Sequence, residues 1–216
     1  MSIVQNINAL KSALPQKVTL VAVSKTKPVA DIIAAYDAGQ RIFGENKIQE
    51  MADKFEQLPK DIEWHMIGHV QTNKVKFMAP FVNLVHAVDS LKLLKEIDKQ
   101  ASKNNRMIDC LLQIHIAEEE TKFGLDESEL ENMMQSESFR NLQNVKVKGL
   151  MGMATFTENQ QQIKKEFEYL KSLFDRFAKI NRDFSILSMG MSGDYELAIS
   201  CGSNMVRIGS SIFGTR

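Results

Sequence analysis

The lysine at position 25 is the side chain of this sequence with the clearest capacity for chemistry. Lys25 follows residues 18–24, an apolar segment with the composition of a buried strand. Burial disfavours the charged form of an amine, and an uncharged lysine amine attacks carbonyl groups. Lys25 is therefore a candidate for Schiff-base chemistry. The alternative interpretation is a solvated lysine at a strand end beside Lys27, and position alone leaves both open.

Two loops near the C-terminus combine glycine with serine, as many phosphate-binding loops do. They are residues 188–194 (SMGMSGD) and residues 207–214 (RIGSSIFG). Glycine lets the backbone approach a phosphate, while N–H and hydroxyl groups donate hydrogen bonds to it. The alternative is a pair of tight turns between packed elements. A lysine amine facing a phosphate site suits a phosphorylated aldehyde: either pyridoxal 5′-phosphate (PLP), or a sugar phosphate held by a Schiff-base aldolase.

The histidines and methionines are weaker candidates for chemistry. His65 and His69 are four residues apart, but a predicted strand and turn separate them, and no cysteine or carboxylate cluster supplies further ligands. We therefore expect no metal site. The methionines at 151–153 and 189–191 are predicted to form walls of the site, because methionine is most often a core filler.

The elements that would position these residues alternate regularly along the chain. Apolar runs rich in β-branched residues predict strands, and stretches with 3.6-residue periodicity predict helices. The predicted strands are residues 18–24, 41–44, 63–68, 84–88, 109–116, 147–151, 184–189 and 206–209. The predicted helices are residues 3–14, 29–38, 48–58, 72–78, 91–103, 127–134, 160–180 and 195–201.

Strict alternation of strand and helix predicts parallel strands joined by right-handed crossovers. Eight such units favour a closed (β/α)8 TIM barrel, for which 216 residues is near the lower limit. A doubly wound dinucleotide-binding sheet would need a glycine-rich turn after the first strand, and residues 24–28 (SKTKP) contain no glycine. We predict a single barrel domain over residues 1–216 with an extra N-terminal helix. Its carboxyl-terminal rim would collect Lys25 and both glycine–serine loops.

Composition and charge exclude several classes of protein. The 27 lysines and arginines balance 27 aspartates and glutamates, which argues against partners such as nucleic acid or an anionic membrane. Cys110 and Cys201 are too few for a disulfide framework. The sequence lacks a basic, apolar signal peptide and any apolar run of the roughly 20 residues that a membrane span needs. We expect a cytoplasmic protein.

Several sequence blocks, in order, resemble the pyridoxal phosphate homeostasis protein family, also described as the proline synthase co-transcribed bacterial homologue family. The resemblance covers nearly the whole chain, and its specificity comes from the number of blocks. They are residues 22–28 (AVSKTKP), 43–50 (FGENKIQE), 64–68 (WHMIG), 71–74 (QTNK), 149–151 (GLM), 188–194 (SMGMSGD), 206–209 (VRIG) and 212–214 (IFG). Residues 121–124 (TKFG) also look family-like, and the role of Lys122 is left open.

The resemblance implies a barrel like the N-terminal domain of bacterial alanine racemase, with PLP held as an internal aldimine on Lys25. It implies that Arg207 faces the pyridine nitrogen and that Ser192, Gly209 and Ser210 hold the phosphate. The remaining residues that it carries onto the cofactor site are Asn46 and Gly193, and Met151 is also predicted to bind the cofactor.

The arginine at position 207 bears on what a bound cofactor could do. An arginine does not lose its proton, so it would leave the pyridine nitrogen unprotonated and the ring a weak electron sink. Alanine racemase also takes its second base from an extra domain of the other subunit, for which this chain has no room. The expected function is therefore a carrier in intracellular PLP (vitamin B6) homeostasis that supplies PLP-dependent apo-enzymes, as a monomer or weak dimer. A weak amino-acid racemase and a sugar-phosphate aldolase are the alternatives.

Overall fold

Eight parallel strands form a closed barrel in which each strand pairs with the next along the chain and the last pairs with the first. The structure is a computed structural model that describes residues 2–119 and 123–214. The strands are β1 (Thr19–Val23), β2 (Ile42–Glu45), β3 (Glu63–Met66), β4 (Leu84–Val88), β5 (Ile108–Gln113), β6 (Val145–Met151), β7 (Ile186–Ser188) and β8 (Met205–Ile208). The predicted TIM barrel is confirmed.

Helices surround the barrel and follow the predicted order. They are α1 (Ile3–Ala13), α2 (Val29–Asp37), α3 (Ile48–Gln57), α4 (Val75–Met78), α5 (Leu91–Lys103), α6 (Glu127–Gln135), α7 (Glu137–Arg140), α8 (Gln160–Ala178), α9 (Tyr195–Ser200) and α10 (Ser210–Phe213). A 3₁₀ turn at Thr72–Lys74 precedes α4. No helix in the described ranges is long and apolar enough to cross a membrane.

The extra N-terminal helix α1 is present as predicted. A capping box formed by Ser2 and Gln5 satisfies its first N–H groups. Its Ile7 and Leu10 are buried in the layer between barrel and helices. Asn6 Nδ2 donates to the carbonyl of Ile212 at 2.9 Å, so α1 also supports the last turn of the chain.

Some element boundaries differ from the sequence prediction. The predicted strand at 109–116 ends at Gln113, because the chain then pairs through a single bridge between Ile114 and Leu125. The predicted strand at 184–189 shortens to β7, since the Phe184 ring instead packs near Phe174 and Phe177 in the outer layer. The four-residue helix α7, which Ser136 caps, was not predicted.

The hydrophobic core has two parts, and the inner one lies inside the barrel. A large cluster fills the layer between strands and helices, and a smaller inner cluster joins Val21, Leu84, Ala87, Leu111, Met151 and Met205. On three strands a buried polar residue comes two positions after an apolar residue of the inner part: His86 after Leu84 on β4, Ser188 after the partly buried Ile186 on β7, and Arg207 after Met205 on β8. Toward the carboxyl ends of these strands, buried polar side chains therefore follow the apolar side chains of the inner cluster.

Candidate functional site

A cavity of about 390 Å³ opens at the carboxyl ends of the strands. Its size falls in the range of small-molecule sites, and its position matches the active face of TIM barrels. Seven of the eight predicted cofactor residues line it: Lys25, Asn46, Ser192, Gly193, Arg207, Gly209 and Ser210. The sequence prediction therefore brought together residues that are up to 185 positions apart (Lys25 and Ser210).

A larger cavity of about 510 Å³ lies at the opposite end of the barrel, beside the start of β6. Its lining includes Val145, Lys146 and Asp183, and none of the predicted site residues. Residues at the amino-terminal face of these barrels serve stability, whereas chemistry is located at the carboxyl face. We therefore assign function to the smaller cavity.

Lys25 lies immediately beyond β1, in a tight turn. The N–H of Ser24 donates to the carbonyl of Gly44 at 3.0 Å, and the N–H of Lys27 donates back to the carbonyl of Ser24 at 3.0 Å. Thr26 adopts a left-handed φ of 64° in this turn. Within the described ranges, the half-buried Lys25 ammonium has no hydrogen-bond or ion-pair partner. Its amine is free to react with a ligand in the cavity.

The neighbouring lysine is already bonded to the chain. Lys27 Nζ donates to the carbonyls of Phe213 at 3.0 Å and of Gly214 at 3.2 Å. Both carbonyls lie at the end of α10, so Lys27 ties the β1–α2 turn to the last helix. Of the two lysines in this turn, Lys25 is the candidate nucleophile and Lys27 is a structural group.

A buried ionic cluster, which we call the Lys54 network, supports the Lys25 turn from behind. Lys54 Nζ donates to Glu45 Oε1 at 2.7 Å, to Glu50 Oε1 at 2.7 Å and to the carbonyl of Ser24 at 2.8 Å. The Ser24 hydroxyl donates to Glu45 at 2.6 Å, and the N–H of Thr26 donates to Glu50. These bonds fix the residues on both sides of Lys25.

The two carboxylates of the Lys54 network have opposite electrostatic environments. Burial raises the pKa of Glu45, although hydrogen bonds from Lys54 and Ser24 oppose the shift. Burial also disfavours ionised Glu50, but hydrogen bonds from Lys54 and the Thr26 N–H outweigh it and lower its pKa. Sequence reasoning did not identify Lys54. The spacing of Glu50 and Lys54, four residues apart on one helix, was the signal that could have found it.

The two glycine–serine loops meet at one side of the cavity. The N–H of Gly209 donates to Ser192 Oγ at 3.2 Å, which joins the loop after β7 to the loop after β8. A Cβ at Gly193 would have no heavy atom within 4 Å, so this backbone faces open space in which an anion could approach. Helix α10 begins at Ser210, and its first N–H groups have no acceptor within the helix. N–H and hydroxyl donors therefore converge here.

Arg207 reaches the cavity from inside the barrel. Its Nη1 donates to the carbonyl of Ser188 at 2.9 Å and to the Ser188 hydroxyl at 2.7 Å, while Nη2 donates to the carbonyl of Gly152 at 3.0 Å. Three of the five N–H donors of a guanidinium are thus used, and two remain for a ligand. Burial lowers the pKa of Arg207 to about 10, against an opposing effect of Asp194, so the group stays charged at neutral pH.

The prediction that Met151 contacts the cofactor is not supported by its position. Met151 is the last residue of β6 and is fully buried in the inner cluster, below the cavity. Side chains alternate along a strand, and the next inward-facing residue, Met153, lines the cavity with Met191. Met189 is buried in the outer layer. Two of the four methionines predicted as walls, Met153 and Met191, therefore line the cavity, and Met151 and Met189 do not.

Each of the four histidines is within hydrogen-bond distance of another described residue. His65 is buried and lies 3.0 Å from His86, whereas His69 is exposed, bonds Asp89 at 3.2 Å and stacks on Phe123 at 4.1 Å. Residues 2–119 and 123–214 contain no group of three or more metal-binding side chains. Lys122, whose role the sequence left open, lies outside the described residues.

The rim of the cavity contains an aromatic residue that sequence reasoning missed. The Phe156 side chain lines the cavity and is 94% exposed. Its neighbour Thr155 is anchored by two hydrogen bonds to Glu166, at 2.7 and 2.6 Å, and the N–H of Phe156 donates to Glu119 at 3.1 Å. The backbone of this loop is thus bonded while the ring is left in solvent.

Known proteins are similar to this chain over most of its length. The family model described as alanine racemase, N-terminal domain, matches residues 1–216. A pyridoxal phosphate homeostasis protein of Aquifex aeolicus is 41% identical over 202 residues, which cover 91% of this chain and 86% of that protein. The protein of the same name from Escherichia coli K12 is 36% identical over 209 residues, which cover 94% of this chain and 87% of that protein.

Solved structures show the same fold. PipY of Synechococcus elongatus PCC7942, solved with PLP bound, matches with a TM-score of 0.90 at 32% identity, covering 99% of this chain and 100% of PipY. An alanine racemase of Bartonella henselae matches with a TM-score of 0.73 at 19% identity, covering 99% of this chain and 58% of the racemase, which shows a shared fold alone. Taken with the relatives above, these matches show that the chain belongs to the family of pyridoxal phosphate homeostasis proteins, whose barrel is that of the alanine racemase N-terminal domain.

Proposed function

We propose that this protein binds PLP through Lys25 and serves in intracellular PLP homeostasis, supplying the cofactor to PLP-dependent apo-enzymes in the cytoplasm. One observation carries the proposal: the unpartnered Lys25 amine lies in the same cavity as the two glycine–serine loops. When bound, PLP supplies an aldehyde that condenses with a primary amine. The names of the relatives and the PLP-bound PipY structure support the same ligand.

The residues around the cavity fit the two ends of this ligand. Ser192, Gly193 and Ser210 offer hydroxyl and N–H donors to its phosphate, in the loops after β7 and β8 that bind phosphate in many TIM barrels. Arg207 offers two unused N–H donors to the pyridine nitrogen. Because the guanidinium keeps its proton, that nitrogen accepts a hydrogen bond without being protonated.

The composition of the cavity favours binding over catalysis. Among the described residues that line it, the titratable side chains are Lys25, Lys27 and Arg207. Lys27 is bonded to backbone carbonyls and Arg207 to Ser188 and Gly152. No carboxylate, imidazole or phenol lines the described cavity wall to act as a second acid or base. An amino-acid racemase and a sugar-phosphate aldolase both need such a group, so we propose a carrier.

Titration of the purified apoprotein with PLP, followed by visible absorption, tests the proposal. The wild type should develop an absorption band at the edge of the visible range with one equivalent of cofactor, and Lys25→Ala should not. Lys27→Arg is the matched control, because it removes the neighbouring primary amine but keeps a charged donor for the carbonyls at the end of α10. Absence of the band in the wild type, or its persistence in Lys25→Ala, would contradict the proposal.

The proposed supply of cofactor needs a separate measurement. Loaded protein mixed with an apo-enzyme that requires PLP should restore the activity of that enzyme while the absorption band of the carrier decays. A carrier that retains its cofactor throughout, while the apo-enzyme remains inactive, would contradict transfer and leave binding intact.

A further inference from the structure

Four buried side chains form a continuous polar chain inside the barrel, which we call the histidine chain. Arg207 Nη1 lies 2.7 Å from Ser188 Oγ, Ser188 Oγ lies 3.1 Å from His86 Nδ1, and His86 Nε2 lies 3.0 Å from His65 Nδ1. His86 and Ser188 are fully buried, and His65 and Arg207 are each 4% exposed. The chain crosses the barrel from β8 through β7 and β4 to β3 and meets the cavity at Arg207.

The direction of every hydrogen bond in the chain follows from its arginine end. A guanidinium can only donate, so Ser188 Oγ accepts and its own proton is available for His86 Nδ1. His86 then carries its proton on Nε2 and donates it to His65 Nδ1, so the His65 proton is also on Nε2. The reverse direction would leave the buried Ser188 hydroxyl proton without an acceptor within the described residues, which is costly.

Both imidazoles are neutral in this environment. Burial lowers the pKa of His65 to about 3. Burial lowers the pKa of His86 well below its usual value of 6.5, and the nearby His65 and Arg207 lower it further. The histidine chain therefore contains one charge, the Arg207 guanidinium. Its two imidazoles, His65 and His86, act as neutral hydrogen-bonding groups of fixed tautomer.

We propose that His86 is a positioning residue for Arg207: by accepting the Ser188 proton, it holds the Ser188 oxygen toward the guanidinium and so fixes the two unused N–H donors of Arg207 in the cavity. His65 supports His86 in the same way from the other side. This inference rests on the proposed function, in which those donors meet the pyridine nitrogen of PLP. The order of protons along the histidine chain is a property of the protein alone and does not depend on the cofactor.

Long-range ¹⁵N–¹H NMR of the ¹⁵N-histidine-labelled apoprotein tests the order of protons directly. His65 and His86 should both show the neutral tautomer with the proton on Nε2, unchanged over about pH 5 to 8, where an ordinary histidine titrates. A proton on Nδ1 of His86, or titration of either ring in that range, would overturn the proposal. This readout needs no cofactor, so it is independent of whether PLP binding itself succeeds.

Two substitutions test the effect on the cofactor. His86→Leu removes the acceptor for Ser188, whereas His86→Asn retains a carbonyl acceptor close to the position of Nδ1. In His86→Leu, the ¹⁵N shift of ring-labelled PLP should move away from the wild-type value and PLP affinity should fall by about threefold to tenfold, the ratio expected for one neutral hydrogen bond. His86→Asn should restore most of both.

His115→Leu is the matched control, because His115 lies outside the chain and bonds the Glu119 carbonyl at 3.0 Å. It should leave the ring nitrogen signal unchanged. A folded His86→Leu protein with wild-type ring shift and affinity would overturn the positioning role. If His86→Leu does not fold, the wild-type tautomers and the ¹⁵N spectrum of PLP bound to His86→Asn test the proposal instead. A proton on Nδ1 of His86 in the wild type is sufficient to overturn it. If the wild type binds no PLP, the proposed function fails, whereas the tautomer result still stands.

Discussion

Two buried polar clusters lie on either side of the barrel wall and differ in how their charges are balanced. In the Lys54 network, outside β1 and β2, one ammonium lies between two carboxylates at 2.7 Å each. In the histidine chain, inside the barrel, the acceptors bonded to the Arg207 guanidinium are neutral: the Ser188 carbonyl, the Ser188 hydroxyl and the Gly152 carbonyl. The charges of the Lys54 network are paired with one another, whereas the charge of the histidine chain, on Arg207, faces the cavity.

The two clusters therefore have different tasks: the Lys54 network supports the backbone around Lys25, and the histidine chain positions a group that faces the ligand. The Lys54 network holds both residues flanking Lys25, through the Ser24 carbonyl and the Thr26 N–H, whereas the Lys25 amine bonds no other residue that the structure describes. The histidine chain holds a cation whose remaining donors face the site where a negatively charged or basic ligand atom would lie. We therefore expect damage to the first cluster to reduce folding stability and damage to the second to change ligand binding.

The largest expected effect is on stability in the Lys54 network. Lys54→Met should lower the free energy of unfolding by about 3–5 kcal/mol, because it leaves the fully buried Glu45 without its ionic partner. Urea denaturation followed by circular dichroism measures it. Lys171→Met is the control: its pair with Asp175 is partly exposed, so removing it should cost less than about 1 kcal/mol. Equal, small effects of the two substitutions would show that the Lys54 network stabilises the fold no more than a partly exposed ion pair does.

The histidine chain should appear in the acid dependence of stability. Its histidines have pKa values below the ordinary 6.5 in the folded state, so the unfolded chain binds protons first as the pH falls. The contribution of these two histidines to the free energy of unfolding should therefore be fully present above pH 6.5. Below pH 6.5 the free energy of unfolding should fall by about 1.4 kcal/mol per pH unit for each histidine. His86→Asn should roughly halve this slope in urea titrations at about pH 4.5 to 6.5. An unchanged slope would show that His86 is not buried neutral.

A smaller effect is expected where the loops face the ligand. Gly193→Ala places a Cβ in open space at the cavity, so the free energy of unfolding should change by less than about 0.5 kcal/mol. PLP should nevertheless bind about tenfold more weakly, because the methyl group occupies the path of the phosphate. Isothermal titration calorimetry measures the affinity. Tighter or unchanged binding would place the phosphate elsewhere.

The smallest effect concerns the rim. Phe156→Ala should weaken PLP binding by about twofold to fivefold, because the exposed ring can cover only the outer face of a ligand in the cavity. Phe77→Ala, at a partly exposed phenylalanine outside the described cavity lining, should have no effect. If Phe156→Ala lost as much PLP affinity as Lys25→Ala, the Phe156 ring would have to contribute directly to holding the cofactor, which would contradict its assignment to the rim.

The sequence predicted the barrel and most of the cavity lining, because both depend on local patterns. Alternating apolar runs gave the order of strands, and the rule that function lies after the strands placed Lys25, Ser192 and Arg207 at one rim. It did not predict the Lys54 network or the histidine chain. His65 and Ser188 meet through His86 across the barrel, and no local pattern encodes which inward-facing residues share a layer. The same limit applies to Met151, which lies in the inner cluster, whereas Met153 lines the cavity.

The most direct test of the central claim is to locate the bond to the cofactor. Apoprotein mixed with PLP, reduced with borohydride and digested should give one peptide whose mass is increased by the reduced cofactor, with the modification on Lys25. Lys27→Arg should give the same peptide adduct, and Lys25→Ala should give none. An adduct on Lys27, or scattered adducts on exposed lysines with none on Lys25, would contradict the claim that the turn after β1 holds a free amine for PLP.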